Sequence, residues 1–183
     1  FANENGISTY NGYFDKRCVN EIKSKNQPIA MISINYTLAN IPNIKEFLRN
    51  VTDISSKDTL ISIITGYHPD QFNVNMFDYI GHDHLTYFTL NDIRNFCEEF
   101  DLQVIEVEKA EHKGGSVRIL LSRKSAGYDL SNDFKQMIQR EEWNQVHSNN
   151  NVLKMMSEVL LAQTNLLDYI KNRSEEHTSE LQS

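Results

Sequence analysis

The sequence predicts an α/β fold: a mostly parallel sheet with helices on its faces, ended by an antiparallel hairpin and followed by C-terminal helices. Three observations carry this reading. Residues 29–34 and 60–64 are nearly continuous apolar runs of strand length, the mark of strands covered on both faces. They alternate with segments of helical spacing, and such alternation builds parallel sheets. Residues 102–108 and 116–121 lie too close together for a crossover helix, so they must pair antiparallel.

Each element follows from local pattern. Ser8, Thr9, Tyr10 and Asn11 favour a short strand closed by Gly12. Residues 15–25 have helical spacing with Val19 and Ile22 inward and Asp15 as the capping residue. Pro28 ends that stretch. Ile44, Phe47, Leu48 and Val51 share one helical face, and a loop with Gly66 and Pro69 follows the second apolar run. Residues 89–100 form another amphipathic helix, with Leu90, Ile93, Phe96 and Cys97 inward. Gly114 and Gly115 occupy the loop of the closing hairpin. Residues 131–143 and 152–171 read as two helices separated by the polar run 147–151. Leu153, Met156, Val159, Leu160, Leu167 and Ile170 line one face of the second, as core or interdomain packing.

Bulk properties narrow the function. The chain has 183 residues, 39% hydrophobic and 23% charged, which suits one globular domain with a real core. Its net charge of −7 argues against nonspecific attraction to nucleic acid or an anionic membrane. No apolar run approaches the length of a membrane span, and no charged-then-apolar leader opens the chain. Cys18 and Cys97 match no zinc or redox spacing and read as buried thiols of a cytoplasmic protein. Residues 173–183 read as translated sequencing-library adapter and stand outside the fold argument. Setting them aside removes one arginine and three glutamates, leaves −5, and takes His177 out of any histidine argument.

The densest polar cluster is Gly81-His82-Asp83-His84, in the loop after the second apolar run, on the side where α/β sheets place their ligands. Histidines around an acid support three readings. One is a metal-binding module with His68 or His112, although His82 and His84 are not at an established zinc spacing. A second is general acid–base catalysis by an imidazole that titrates near neutrality. The third is a solvated or capping loop.

The stretch Phe77-Asp78-Tyr79-Ile80-Gly81-His82-Asp83-His84-Leu85-Thr86-Tyr87-Phe88-Thr89-Leu90 resembles the F-D-x-I-Y-H-E-H-L-S-Y-F-S-L segment of the sugar C-methyltransferases. Lys113-Gly114-Gly115-Ser116-Val117-Arg118 is similar to their H-G-G-S-L-R segment, and residues 32–43 to their I-I-A-N-N-V-x-A-H-I-P-D. The likeness runs from Gly6 to about Lys171. It implies a Rossmann-like sheet of the class I S-adenosylmethionine-dependent methyltransferases. It also implies methyl transfer to the carbon next to a ketone of a nucleotide-linked deoxy sugar. His84 aligns with the family's catalytic histidine and takes the role of general base. Asp83 orients the imidazole or assists enolisation, and His82 is a neighbouring polar contact.

For S-adenosylmethionine the resemblance implies Gly12, Tyr13 and Phe14 near the adenine and Asn35 and Tyr36 near the methionine and ribose parts. For the nucleotide-sugar substrate it implies Tyr67, His68, Tyr87, Gly114, Gly115 and Ser116. No metal is required. Two departures stand out: the family's tyrosine is Gly81 here, leaving Tyr79 or Tyr87 to supply a phenol, and its glutamate is Asp83. The departure at Gly81 keeps open a methyltransferase acting on another carbonyl compound.

The family's glycine-rich cofactor turn, N-terminal zinc module and second α/β domain have no counterpart in these residues. The expectation is therefore a fragment, inactive alone: residues 1–128 the C-terminal part of the methyltransferase domain, 129–172 a helical connector, 173–183 the artefactual tail. In family order the sheet would run 29–34, 60–64, 116–121, 102–108, with 29–34 as an open edge and 8–11 detached.

Overall fold

A computed structural model describes residues 3–146 and 148–180, the side chains of 175–180 excepted. His147 and the last three residues of the expected adapter tail lie outside the described residues. The elements run α1 (Lys16–Ser24), β1 (Met31–Asn35), α2 (Ile44–Ile54), β2 (Leu60–Gly66), α3 (His68–Asn73), α4 (Leu90–Glu99), β3 (Leu102–Ala110), β4 (Ser116–Arg123), α5 (Asn132–Trp143) and α6 (Asn149–Glu180).

The four strands form one sheet in the order β1-β2-β4-β3. β1 runs parallel to β2, with Ile34 beside Ile63. β4 is antiparallel to both neighbours, placing Ile119 between Ile63 and Val107. The order and the open edge at β1 are those expected from the sequence. A bulge between Val104 and Glu106 offsets β3 against β4 and lets both Val104 and Val107 turn inward.

The core lies on one face of the sheet. Ile61, Ile63, Ile119 and Leu121 pack there beneath Leu48 and Val51 of α2 and Ile93 and Cys97 of α4. Burying each such aliphatic side chain stabilises the fold by about 1.5–3 kcal/mol. Phe134, Met137 and Ile138 of α5 join the same cluster.

Helix starts follow the caps. The Asp15 carboxylate accepts from the backbone N–H of Arg17 and Cys18 and opens α1. Thr89 and Asp92 form a reciprocal capping box at the start of α4.

Five expectations need correction. Residues 8–11 are exposed coil and not a strand, because no neighbouring strand takes their backbone bonds. β1 is not covered on both faces: of its residues only Ile34 is buried, and Met31 is 56% exposed. The loop expected around Gly66 and Pro69 is the end of β2 followed by α3, with Pro69 in the first helical turn, where its missing N–H costs nothing. Asn149, Asn150 and Asn151 begin α6 instead of separating two helices. Along α6, Leu153, Met156, Leu160, Leu167 and Ile170 are exposed and Met155 is the buried residue. No described helix is long and apolar enough to cross a membrane.

Candidate active site

β1, β2 and β3 end, and β4 begins, on one rim of the sheet, where α/β folds hold their ligands. Tyr36 follows β1, Tyr67 and His68 follow β2, and Gly114, Gly115 and Ser116 precede or open β4. The long segment between α3 and α4 brings Tyr79, His84 and Tyr87 to the same rim.

The imidazole of His84 is held from two directions. Its Nδ1 lies 2.9 Å from the carbonyl oxygen of Tyr79, and its ring stacks on the Tyr79 ring at 4.2 Å between centroids. A carbonyl only accepts, so Nδ1 carries a proton, and in the neutral ring it is Nε2 that holds the lone pair. Tyr87 meets His84 edge-on at 6.2 Å, and His68 lies 5.1 Å from Tyr87 and 3.6 Å from Phe72. His84, His68, Tyr79 and Tyr87 therefore form one aromatic cluster.

Tyr79 anchors the cluster to the sheet. Its hydroxyl bonds to the Gln71 side chain, and Gly66 leaves room for both groups: a Cβ there would meet Gln71 Nε2 at 2.7 Å and the Tyr79 hydroxyl at 2.9 Å. Burial raises the Tyr79 phenol above its ordinary range, against the lowering effect of the Gln71 bond and with Tyr36, Tyr87 and Asp83 adding to the rise. Tyr79 thus places a phenol ring beside His84.

Asp83 and His82 are exposed. The group that orients His84 is the Tyr79 carbonyl and not the Asp83 carboxylate, which corrects one expected role. Asp83 curls back over Gly81, where an added Cβ would meet its Oδ1 at 2.7 Å.

Several other expected ligand groups serve the protein itself. Tyr67 is buried and its hydroxyl donates to Glu141 Oε1 at 3.0 Å; burial and the Glu141 charge raise the phenol. Ser116 is fully buried, donates to the His112 carbonyl at 2.8 Å and accepts from the Tyr36 hydroxyl at 3.2 Å. Gly114 and Gly115 have positive φ and press against α3 and the turn after it. A Cβ on Gly114 would run into Met76 Sδ, and one on Gly115 would meet Asp70 Cβ at 2.5 Å. Their close approach is to the chain's own side chains.

Of the residues expected at the cofactor, Tyr36 sits at the rim with φ of +48°, under the Lys113 ammonium at 4.2 Å. Asn35 is exposed beside it. Gly12 is exposed and Tyr13 is 90% exposed; only Phe14 is packed, edge-on to Phe47 at 5.3 Å. The first two are not gathered into any site. Among the described residues no three His, Cys, Asp or Glu side chains are grouped so as to hold a metal ion.

Two groups escaped sequence reasoning. Gln71 carries no motif. Glu141 does carry a signal: with Phe134, Met137 and Ile138 it forms the i, i+3, i+4, i+7 stripe of α5, so an acid stands on the buried face.

No family model matches the chain. Over 140 residues it is 26% identical to the C-methyltransferase NovU of Streptomyces niveus, covering 76% of this chain and 33% of that protein. The chain is similar to that C-methyltransferase. It spans about a third of the length of that curated relative. Solved structures with similar folds include the mitomycin 7-O-methyltransferase MmcR, at TM-score 0.48 and 11% identity over 67% of this chain and 37% of that one. The YcgJ protein of Bacillus subtilis matches at TM-score 0.45 and 13% identity over 67% and 75% of the two chains.

Proposed function

We propose that these residues carry the proton-abstraction half of an S-adenosylmethionine-dependent C-methyltransferase that acts next to the ketone of a nucleotide-linked deoxy sugar. The observation that carries the reading is the state of His84. A backbone carbonyl fixes its tautomer, a stacked phenol fixes its plane, and Nε2 is left as a base. Nε2 takes a proton from the carbon next to the ketone. The C–H electron pair moves into an enolate, and the imidazole becomes imidazolium. The phenol of Tyr87 stands beside the ring to donate to the developing oxyanion, while that of Tyr79 stays with Gln71.

The reaction needs a methyl donor, and S-adenosylmethionine is the one implied by the family likeness; the curated relative's name gives methyl transfer to carbon. A trough of about 440 Å³ along β1, lined by Phe14, Phe47, Ile32, Asn35 and Thr37 among others, offers an apolar wall and a few polar atoms. None of its described lining residues is a carboxylate able to bind ribose hydroxyls. These residues do not by themselves fit the whole cofactor.

The test is methyl transfer by the protein at the length its gene encodes, offered a panel of keto-sugar nucleotides and simple ketones. Methylation of the carbon next to the ketone in a keto-sugar nucleotide supports the reading. Turnover of simple ketones alone points to the other carbonyl class that Gly81 suggested. Methylation of oxygen or nitrogen overturns it.

A further inference from the structure

Glu141 is 2% exposed, and its carboxylate accepts four hydrogen bonds. Oε1 accepts from the Tyr67 hydroxyl at 3.0 Å and the Leu90 N–H at 2.6 Å. Oε2 accepts from the Asn91 N–H at 3.0 Å and from Asn91 Nδ2 at 2.8 Å. Three of the four partners are N–H groups, which only donate, and the Tyr67 hydroxyl donates as well, so the carboxylate serves as an acceptor.

The partners' positions give this bond set its meaning. Tyr67 immediately precedes the segment that bears His68, Tyr79, His84 and Tyr87, and Leu90 and Asn91 immediately follow it. The N–H groups of Leu90 and Asn91 are the first two of α4, which have no partner within a helix. The capping box between Thr89 and Asp92 leaves those two for an outside acceptor. One carboxylate therefore clasps both ends of the segment, and it comes from α5, outside the sheet.

We propose that Glu141 is a positioning residue: by fixing both ends of the segment 68–89 it sets the orientation and tautomer of His84. The proposal rests on the reading of His84 as the base, but concerns the state of the ring. Glu141→Gln is the probe, because an amide must turn an N–H₂ toward one pair of donors and lose those bonds.

The readout is nitrogen NMR of the His84 ring, with amide hydrogen exchange across the 183-residue chain. In the unaltered chain the ring is expected as the Nδ1–H tautomer. In Glu141→Gln the ring should shift toward the Nε2–H tautomer, and the amides of 68–91 should exchange at least about tenfold faster while those of β1 and α2 change less than about twofold. Tyr67→Phe removes one of the four bonds and should produce a smaller change of the same kind. It decides the matter if Glu141→Gln fails to fold.

Faster exchange spread evenly over the chain with an unchanged His84 ring would overturn the proposal and leave Glu141 a purely structural group. An unchanged ring and unchanged exchange would overturn it equally. A ring that changes as expected in a protein whose methyl transfer survives His84→Ala would sustain the coupling and remove the catalytic reading instead.

Discussion

Tyr79 and His84 are joined twice, by the 2.9 Å bond from His84 Nδ1 to the Tyr79 carbonyl and by the 4.2 Å stack of their rings. The first contact belongs to backbone and survives any substitution of Tyr79; the second does not. Tyr79→Phe keeps the stack and loses the Gln71 partner, so proton abstraction should fall only a few-fold. Tyr79→Ala removes the ring and frees the imidazole plane, and the loss should reach about 10²-fold, as for a misplaced catalytic group. The rates of methyl transfer by the two variants check this ordering.

The glycine pair tests packing against backbone strain. Gly127 has φ of +77° with nothing within 4 Å of an added Cβ, so Gly127→Ala meets conformational strain alone. Gly115→Ala adds a clash with Asp70 Cβ at 2.5 Å. Gly127→Ala should cost about 1 kcal/mol and Gly115→Ala about 2–4 kcal/mol. Thermal denaturation of the two variants should therefore separate clearly, with Gly115→Ala the less stable.

An open strand edge is a pairing site. Among the described residues β1 has β2 on one side only, and Met31 is 56% exposed. Sedimentation of the chain should show mass rising with concentration. Met31→Lys, which places a charge on the edge, should move the population toward monomer. A monomer at all concentrations would contradict the edge argument.

Cys97 gives a pH signature. Burial pushes its thiol up to about 12 from an ordinary 9.0, Lys124 pulls weakly the other way, and Glu98 adds to the rise. The folded chain then holds this proton where the unfolded chain has lost it. Its contribution to stability is full below pH 9.0 and falls as pH rises from there toward about 12. Denaturation midpoints followed across that window should drop more steeply for the unaltered chain than for Cys97→Ser. The native thiol should also resist alkylation at pH 8.

The sheet was largely legible from the residues. Apolar runs marked the two parallel strands, the short spacing from Val107 to Val117 forced the hairpin, and Asp15 and Thr89 announced their helices. What failed was local pattern without a partner. Ser8 to Asn11 have β-forming side chains, but a strand exists only beside another strand. The leucine stripe of α6 has helical spacing, yet Leu160 and Leu167 are 59% and 50% exposed. In the candidate site, His84 and Tyr87 came from a motif, whereas Gln71 and Glu141 depend on contacts across 42 and 51 positions of chain, to Lys113 and Leu90, which no local pattern encodes.

The base can be separated from methyl transfer altogether. A keto-sugar nucleotide incubated in deuterium oxide with the protein at its encoded length, without methyl donor, reports proton abstraction alone. Mass spectrometry should show one deuterium entering at the carbon next to the ketone. His84→Ala should slow that exchange by about 10²–10⁴-fold, while His82→Ala stays within a few-fold of the unaltered protein. Exchange that proceeds undiminished in His84→Ala would contradict the assignment of His84 as the base.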